Sequence, residues 1–132
     1  MIKAVIPLFF MLAANAGSAS SSDSSIVGTW EGESKCTLPG SPCHDEHAVY
    51  EVKLRDGKPI IDGYKIVNGE KQYMGAMECG SIKDGRMSCT AARSNKTRMD
   101  EWVFEVNHNL MDGTLYIDKE RTVYRKIHVE KK

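Results

Sequence analysis

The sequence lacks the features by which nucleic-acid-binding proteins and membrane proteins are usually recognised. Its 18 basic and 18 acidic residues balance to a formal net charge of zero. Both signs are scattered along the chain, which argues against a basic stripe for nucleic acid and against a polybasic membrane contact. The apolar run over residues 4–14 is too short to span a bilayer, and no later segment is long and apolar enough. We therefore expect neither nucleic acid nor a membrane as a partner.

Catalytic motifs are also missing from the sequence. It contains no Gly-x-Ser-x-Gly, and no serine has a histidine and an acid placed by a local motif. The four cysteines form an even set, which an oxidising compartment would pair as two disulfides. We predict a protein that is not an enzyme, has no catalytic residues and uses no cofactor.

The N-terminal 25 residues have the composition of an export segment. A positive head over residues 1–3 precedes the apolar run, and the small residues that signal peptidase requires follow it. We predict a signal peptide over residues 1–19, cleaved after Ala16 or Ala19. A flexible serine-rich segment over 20–25 and one domain over 26–132 would follow. The protein is then expected to be secreted or periplasmic.

From residue 26 onward, short alternating runs are separated by turn signals, and no stretch has a convincing helical period. These runs delimit about eight strands in an up-and-down order. The sequence therefore predicts an all-β fold: a single small antiparallel barrel with two disulfides.

Residues 26–36 are predicted to form the first strand. Alternation places six residues on its inner face: Ile26, Gly28, Trp30, Gly32, Ser34 and Cys36. We interpret the two glycines that flank Trp30 as leaving space for its indole and as letting the strand bend.

Hairpin register and proximity predict the two disulfides. If residues 83–85 form a three-residue loop, Cys79 lies directly opposite Cys89 at a non-hydrogen-bonded pair, where side chains are closest. Proximity then pairs Cys36 with Cys43. Each disulfide closes a short loop.

Two further hairpins predict which side chains face the interior. An Asn68-Gly69 turn sends Asp62, Tyr64, Tyr73 and Met77 inward. For Asp62 three interpretations remain: a ligand contact, a hydrogen-bonded core acid held by Tyr50 or Tyr64, or a register error at a β-bulge.

Near the C-terminus, a His108-Asn109 turn sets Trp102 against Leu115 and Phe104 against Gly113, a large residue facing a small one. The following loop sets Leu115 against Arg125. Arg125 is then a charged residue on the inner face of the last strand.

Gly28-Thr29-Trp30 on the first strand, together with the inward Arg125 on the last, resembles the calycin signature shared by lipocalins, fatty-acid-binding proteins and avidins. The resemblance implies a closed barrel, similar to lipocalins and streptavidin, whose first and last strands pair. It also implies that Trp30 lies at the closed end with the Arg125 guanidinium stacked across the indole.

The sequence departs from two members of this superfamily. Glu31-Gly32-Glu33 stands where avidins continue with Tyr-Asn, and the helical insert of fatty-acid-binding proteins is absent. As a whole, the chain resembles an uncharacterised group of small exported bacterial lipocalin-like proteins.

The densest set of potential metal ligands comprises Cys36, Cys43, His44 and His47. Two thiols and two imidazoles could form a tetrahedral zinc site. An oxidising compartment and the Cys-x6-Cys spacing instead favour a disulfide loop. We predict no metal site, and we expect the loop over residues 36–47 to act as a lid or contact surface at the barrel mouth.

The function predicted from these features is binding of a small, mostly apolar ligand inside the barrel. The predicted ligand-binding residues share aromatic or acidic side chains on expected inner faces: Tyr50, Asp62, Tyr64, Tyr73, Trp102 and Phe104. The alternative is a protein that acts through its outer surface, such as an inhibitor of a secreted hydrolase that inserts the 36–47 loop into its partner. The sequence leaves open whether the interior is open or filled and which oligomeric state the protein adopts.

Overall fold

The computed structural model describes residues 22–92 and 100–132. Eight strands form a closed barrel in which each strand pairs antiparallel with the next, and the first pairs with the last. The strands are β1 (Gly28–Cys36), β2 (Glu46–Arg55), β3 (Lys58–Val67), β4 (Glu70–Cys79), β5 (Arg86–Ala91), β6 (Glu101–Asn107), β7 (Leu110–Ile117) and β8 (Thr122–Lys131). The predicted all-β, up-and-down barrel is confirmed.

The predicted signal peptide over residues 1–19 lies outside the described residues. Where the serine-rich segment meets the barrel domain, Ser24–Ile26 form a short 3₁₀ helix. No helix in the described ranges is long and apolar enough to cross a membrane.

The two-residue His108-Asn109 turn has positive φ at His108 only, whereas in three other hairpins both turn residues have positive φ: Asp56-Gly57, Asn68-Gly69 and Asp84-Gly85. Turns with this geometry match the right-handed twist of the flanking strands, and they favour asparagine or aspartate followed by glycine. The turn residues therefore set most of the barrel's connections locally.

One of these turns differs from the prediction. Lys83 and Arg86 exchange backbone hydrogen bonds at 2.9 and 3.0 Å, so the loop contains Asp84 and Gly85 only, and the predicted three-residue loop was wrong. Cys79 and Cys89 nevertheless face each other, because the segment between Cys79 and Lys83 leaves the regular ladder and absorbs the difference of one residue.

Both predicted disulfides are confirmed. Cys36 is bonded to Cys43 and Cys79 to Cys89, and no cysteine is free in the described part of the chain. Two disulfides in so small a domain are typical of an oxidising compartment.

One end of the barrel is closed by the N-terminal turn. The Trp30 side chain is fully buried, and its Nε1 donates a hydrogen bond of 2.8 Å to the Ile26 carbonyl. Asp23 accepts a hydrogen bond of 2.7 Å from the Ile82 backbone N–H. Ile26 therefore belongs to this turn, and β1 begins at Gly28, two residues later than predicted.

Gly32 permits the approach of β1 to β8 that closes the barrel. A Cβ at this position would overlap the His128 carbonyl oxygen and lie 2.9 Å from the Val129 Cα. At Gly28, a Cβ would meet the Lys131 side chain at 3.0 Å. The glycines thus make room for the last strand and for Lys131, and not for the Trp30 indole as predicted.

The predicted stacking of Arg125 on Trp30 was wrong. In the β1–β8 register, Trp30 lies opposite Lys131 and Arg125 lies opposite Cys36, six positions away, or about 20 Å along the strand. Lys131 is the basic residue at the closed end, where its Nζ donates a hydrogen bond of 2.8 Å to the Ser25 carbonyl. Arg125 belongs to the opposite end of the barrel.

We expect Gly32→Ala to destabilise the fold by about 3 kcal/mol, because the added methyl group meets backbone on a neighbouring strand and neither strand can shift without breaking the ladder. Gly80→Ala is the matched control, since a Cβ at that position has no atom within 4 Å, and we expect a change below about 0.5 kcal/mol. Urea unfolding measures both. Equal stability of the two variants would contradict the close β1–β8 approach.

The separation of Trp30 from Arg125 predicts additive effects. We expect Trp30→Phe and Arg125→Met each to destabilise the barrel, and the double variant to equal their sum within about 0.5 kcal/mol, because residues more than about 10 Å apart rarely couple. A coupling energy above about 1 kcal/mol in urea unfolding would show that the two side chains share a contact.

Candidate binding cavity

A cavity of about 540 Å³ occupies the half of the barrel that contains Arg125. Its apolar walls come from inward positions on several strands: Ala48, Met77, Ala91, Trp102 and Leu115. Below it, the Tyr50 ring meets the Phe104 ring edge to face at a centroid distance of 6.0 Å. This volume lies within the range of small-molecule sites in proteins, about 300–1,000 Å³.

A β-bulge between β3 and β4 reverses the predicted facing of Asp62. Tyr64 pairs with Tyr73 but Gly63 pairs with Gly75, so Met74 is an extra residue on β4. Gly75 has a φ of 122°, a backbone conformation that glycine adopts readily. Beyond the bulge, Ile61 faces inward and is fully buried, which places Asp62 on the outer face.

Asp62 therefore belongs to a surface network. Of the three interpretations of this residue given above, a register error at a β-bulge is the correct one. Its carboxylate lies 2.8 Å from the Lys53 Nζ and accepts a hydrogen bond of 3.3 Å from the Tyr73 hydroxyl. The hydrogen bond to Asp62 raises the pKa of the Lys53 ammonium, so Lys53 stays protonated at neutral pH. The structure does not bring this carboxylate into the cavity.

Tyr64 and Tyr73 lie at the margin of the cavity, although both were predicted to face inward. Their ring centroids are 5.4 Å apart, and the Lys71 Nζ lies 4.6 Å from the centroid of the Tyr64 ring. Tyr73 is 60% exposed. The bulge thus turns this aromatic pair toward solvent while leaving both side chains in contact with the cavity.

The two predicted aromatic residues on β6 have different environments. Trp102 pairs with Leu115 and lines the cavity, whereas Phe104 is fully buried beneath it and does not line it. Phe104 pairs with Gly113 as predicted, and its Cε1 lies 2.7 Å from where a Gly113 Cβ would stand.

The Tyr50 hydroxyl lies at the cavity floor and has no hydrogen-bond partner among the described residues. The residue is 7% exposed, and its ring packs beside Gly63, where a Cβ would stand at an ordinary contact distance of 3.7 Å from the Tyr50 Cε1. Burial raises the pKa of the phenol strongly, and the charge of Glu46 adds to this. The hydroxyl is therefore protonated at physiological pH and available as a donor.

Arg125 forms a polar network at the mouth. Its Nη1 donates to the Ser34 hydroxyl at 3.2 Å and to the Ser34 carbonyl at 3.4 Å, while its Nη2 donates to the His44 carbonyl at 3.0 Å and to Glu46 at 3.3 Å. The Arg125 and Glu46 side chains are 14% and 19% exposed. This network joins the last strand to β1 and to the beginning of β2.

The disulfide loop is attached beside the same opening. Thr37 donates from its backbone N–H to the Tyr124 carbonyl at 3.1 Å and from its hydroxyl to the Val123 carbonyl at 3.0 Å. Asp45 accepts a hydrogen bond of 2.8 Å from the Cys36 N–H. The loop is therefore held at both of its ends.

Three of the side chains considered as zinc ligands, those of Cys36, Cys43 and His47, have other partners. Both sulfurs of the loop are bonded to each other, and the His47 Nε2 lies 2.6 Å from Glu31. Among residues 22–92 and 100–132, no group of three or more histidine, cysteine, aspartate or glutamate side chains is arranged to hold a metal ion.

Sequence reasoning missed Glu46 and did not assign a role to Ser34, which alternation had placed inward. The signal that could have found them is the inward Arg125, because a partly buried guanidinium requires acceptors nearby. Ser34 was already on the inner face of the strand that pairs with β8.

Comparison with known proteins found no matching family model, no matching curated protein and no matching solved structure. The case for function therefore depends on the geometry of the cavity.

We expect Arg125→Met to destabilise the protein by about 2 kcal/mol, because it leaves Glu46 and the Ser34 hydroxyl without their partner in a largely buried setting. Arg55→Met is the matched control: Arg55 also pairs with a glutamate, Glu78, but both side chains are more than half exposed, so the loss should stay below about 0.5 kcal/mol. Urea unfolding compares the two. Equal losses would show that the mouth network contributes no more than a surface ion pair.

Proposed function

We propose that this protein is a non-enzymatic binding protein that holds one small, mostly apolar molecule in the cavity. The observation that carries the proposal is the cavity of about 540 Å³ inside the barrel, bordered by apolar side chains with a few polar groups at the floor and mouth. That combination is typical of small-molecule sites, where apolar walls supply affinity and a few polar groups fix orientation.

A route into the cavity lies between β4 and β5. These strands share only three paired positions, Met77–Ala91 to Cys79–Cys89, continued by one hydrogen bond from Ala92 to Ala76. Within the described ranges, no strand pairs with Glu70–Gly75 on this side. The cavity wall here consists of small residues: Gly75, Ala76, Ala91 and Ala92. Among the described residues, these four would obstruct an entering ligand little.

We also propose that the protein is exported and that its barrel belongs among the lipocalin-like calycins. Export is supported by the N-terminal signal pattern and by two disulfides in a small domain. The calycin proposal is supported by Trp30 at the closed end beneath an N-terminal 3₁₀ turn, and by the pairing of the first and last strands.

A second function, binding of a protein partner through the disulfide loop, is favoured by the attachment of that loop at both ends. A loop held in one conformation loses little entropy when it binds, which is what a tight surface inhibitor needs. Leu38 is 38% exposed on this loop and would be its apolar contact. The open cavity has no role in this second function, so we rank it below ligand binding.

The primary proposal is tested with N-phenyl-1-naphthylamine, an uncharged probe whose fluorescence rises in apolar surroundings. We expect saturable binding to the wild-type protein and at least a tenfold weaker affinity for Ala91→Trp, whose indole would occupy the cavity beside the β4–β5 opening.

Thr90→Trp is the control, since Thr90 pairs with Glu78 on the outer face one residue away. This variant should bind the probe as the wild type does. Absence of binding by the wild type, or equal binding by both tryptophan variants and the wild type, would contradict the cavity as the binding site and favour the loop.

A further inference from the structure

The Arg125 guanidinium has almost no donor left for a ligand. Arginine offers five N–H groups, four of them on the two terminal nitrogens. The Arg125 terminal nitrogens already make four contacts, to the Ser34 hydroxyl and carbonyl, the His44 carbonyl and Glu46. A carboxylate is bound tightly by arginine through two parallel N–H groups, and no such pair remains at this site.

The charges at the mouth also oppose an ionic ligand of either sign. Glu46 neutralises Arg125 at a distance of 3.3 Å, and both side chains are largely buried. An anion in the cavity would have Glu46 as a like-charged neighbour, and a cation would have Arg125. Interactions between charges strengthen where water is excluded, so the ion pair discriminates against both.

Tyr50 provides a hydrogen-bond donor for a ligand, which the Arg125–Glu46 pair does not. In the described part of the chain, its hydroxyl has no hydrogen-bond partner, while no fully enclosed side-chain oxygen or nitrogen there lacks one. The Tyr50 hydroxyl therefore touches open space, and the cavity that Tyr50 lines is that space. In the ligand-free protein water can pair with this hydroxyl, and a ligand that displaces the water keeps the hydrogen bond only if it offers an acceptor.

From these three observations we infer that the natural ligand is an uncharged molecule, mostly apolar, with a carbonyl or ether oxygen that accepts a hydrogen bond from the Tyr50 hydroxyl. The inference rests on the proposed function. It excludes free fatty acids and other carboxylates as the preferred class, and it makes Tyr50 the residue that orients the ligand.

The charge preference is tested with two probes that share one aromatic framework. 1-Anilinonaphthalene-8-sulfonate is N-phenyl-1-naphthylamine with a sulfonate added, so the pair differs only in charge and the volume of that group. We expect the uncharged probe to bind at least tenfold more tightly. Equal or tighter binding of the sulfonate at a site blocked by Ala91→Trp would overturn the inference while leaving the cavity as the binding site.

The hydrogen bond is tested with 6-propionyl-2-dimethylaminonaphthalene, an uncharged probe that carries a ketone. Tyr50→Phe should weaken its binding about fivefold and shift its bound emission to the blue, because the ketone loses its donor. The same variant should bind N-phenyl-1-naphthylamine, which has no carbonyl, within twofold of the wild type.

Tyr124→Phe is the matched control, since it removes a phenol hydroxyl from a residue that does not line the cavity, and it should leave the ketone probe's affinity and emission unchanged. An unchanged ketone affinity and emission in Tyr50→Phe would overturn the assigned role of Tyr50. Failure of every probe to bind would overturn the inference together with the proposed function.

Discussion

Pairing of β1 with β8 is the contact that converts a meandering sheet into a barrel, and it depends on the absence of a side chain at Gly32. The same strand pair determines both ends of the interior. Trp30 and Lys131 meet at one end, where the N-terminal turn covers the indole. Ser34 and Arg125 meet at the other, where no such turn is present in the described residues. The barrel therefore has an apolar, filled end and a polar, open end.

The β3–β4 bulge determines which side chains border the cavity at the open end of the barrel. By inserting Met74, it turns Asp62 outward and leaves Gly63 and Gly75 side by side on the inner wall, where larger residues would fill the space. Bulges commonly bend a strand and redirect side chains near binding sites. Here the consequence is a wall of small residues beside the short β4–β5 ladder. The cavity is thus a product of backbone irregularity as much as of side-chain choice.

Local sequence signals predicted the features that depend on neighbouring residues. The Asn68-Gly69 and His108-Asn109 turns set the register of their hairpins, and two close cysteine pairs identified both disulfides. Local sequence patterns did not reveal a shift of pairing register within a strand. Alternation propagates from a turn until a bulge interrupts it, so the inner face of β3 was wrong at Asp62. The position of Arg125 relative to Trp30 required the β1–β8 stagger, which no local pattern encodes.

The most direct test of the account is methyl NMR of the protein during titration with N-phenyl-1-naphthylamine. Methyl groups of Ala48, Met77 and Ala91 line the cavity and should shift together in a saturable manner. Methyl groups of Met87 and Met111 are fully buried in the core cluster without lining the cavity, and they should move little. Shifts confined to outer positions such as Leu38 and Leu54, with Ala48 and Met77 unchanged, would contradict an interior binding site.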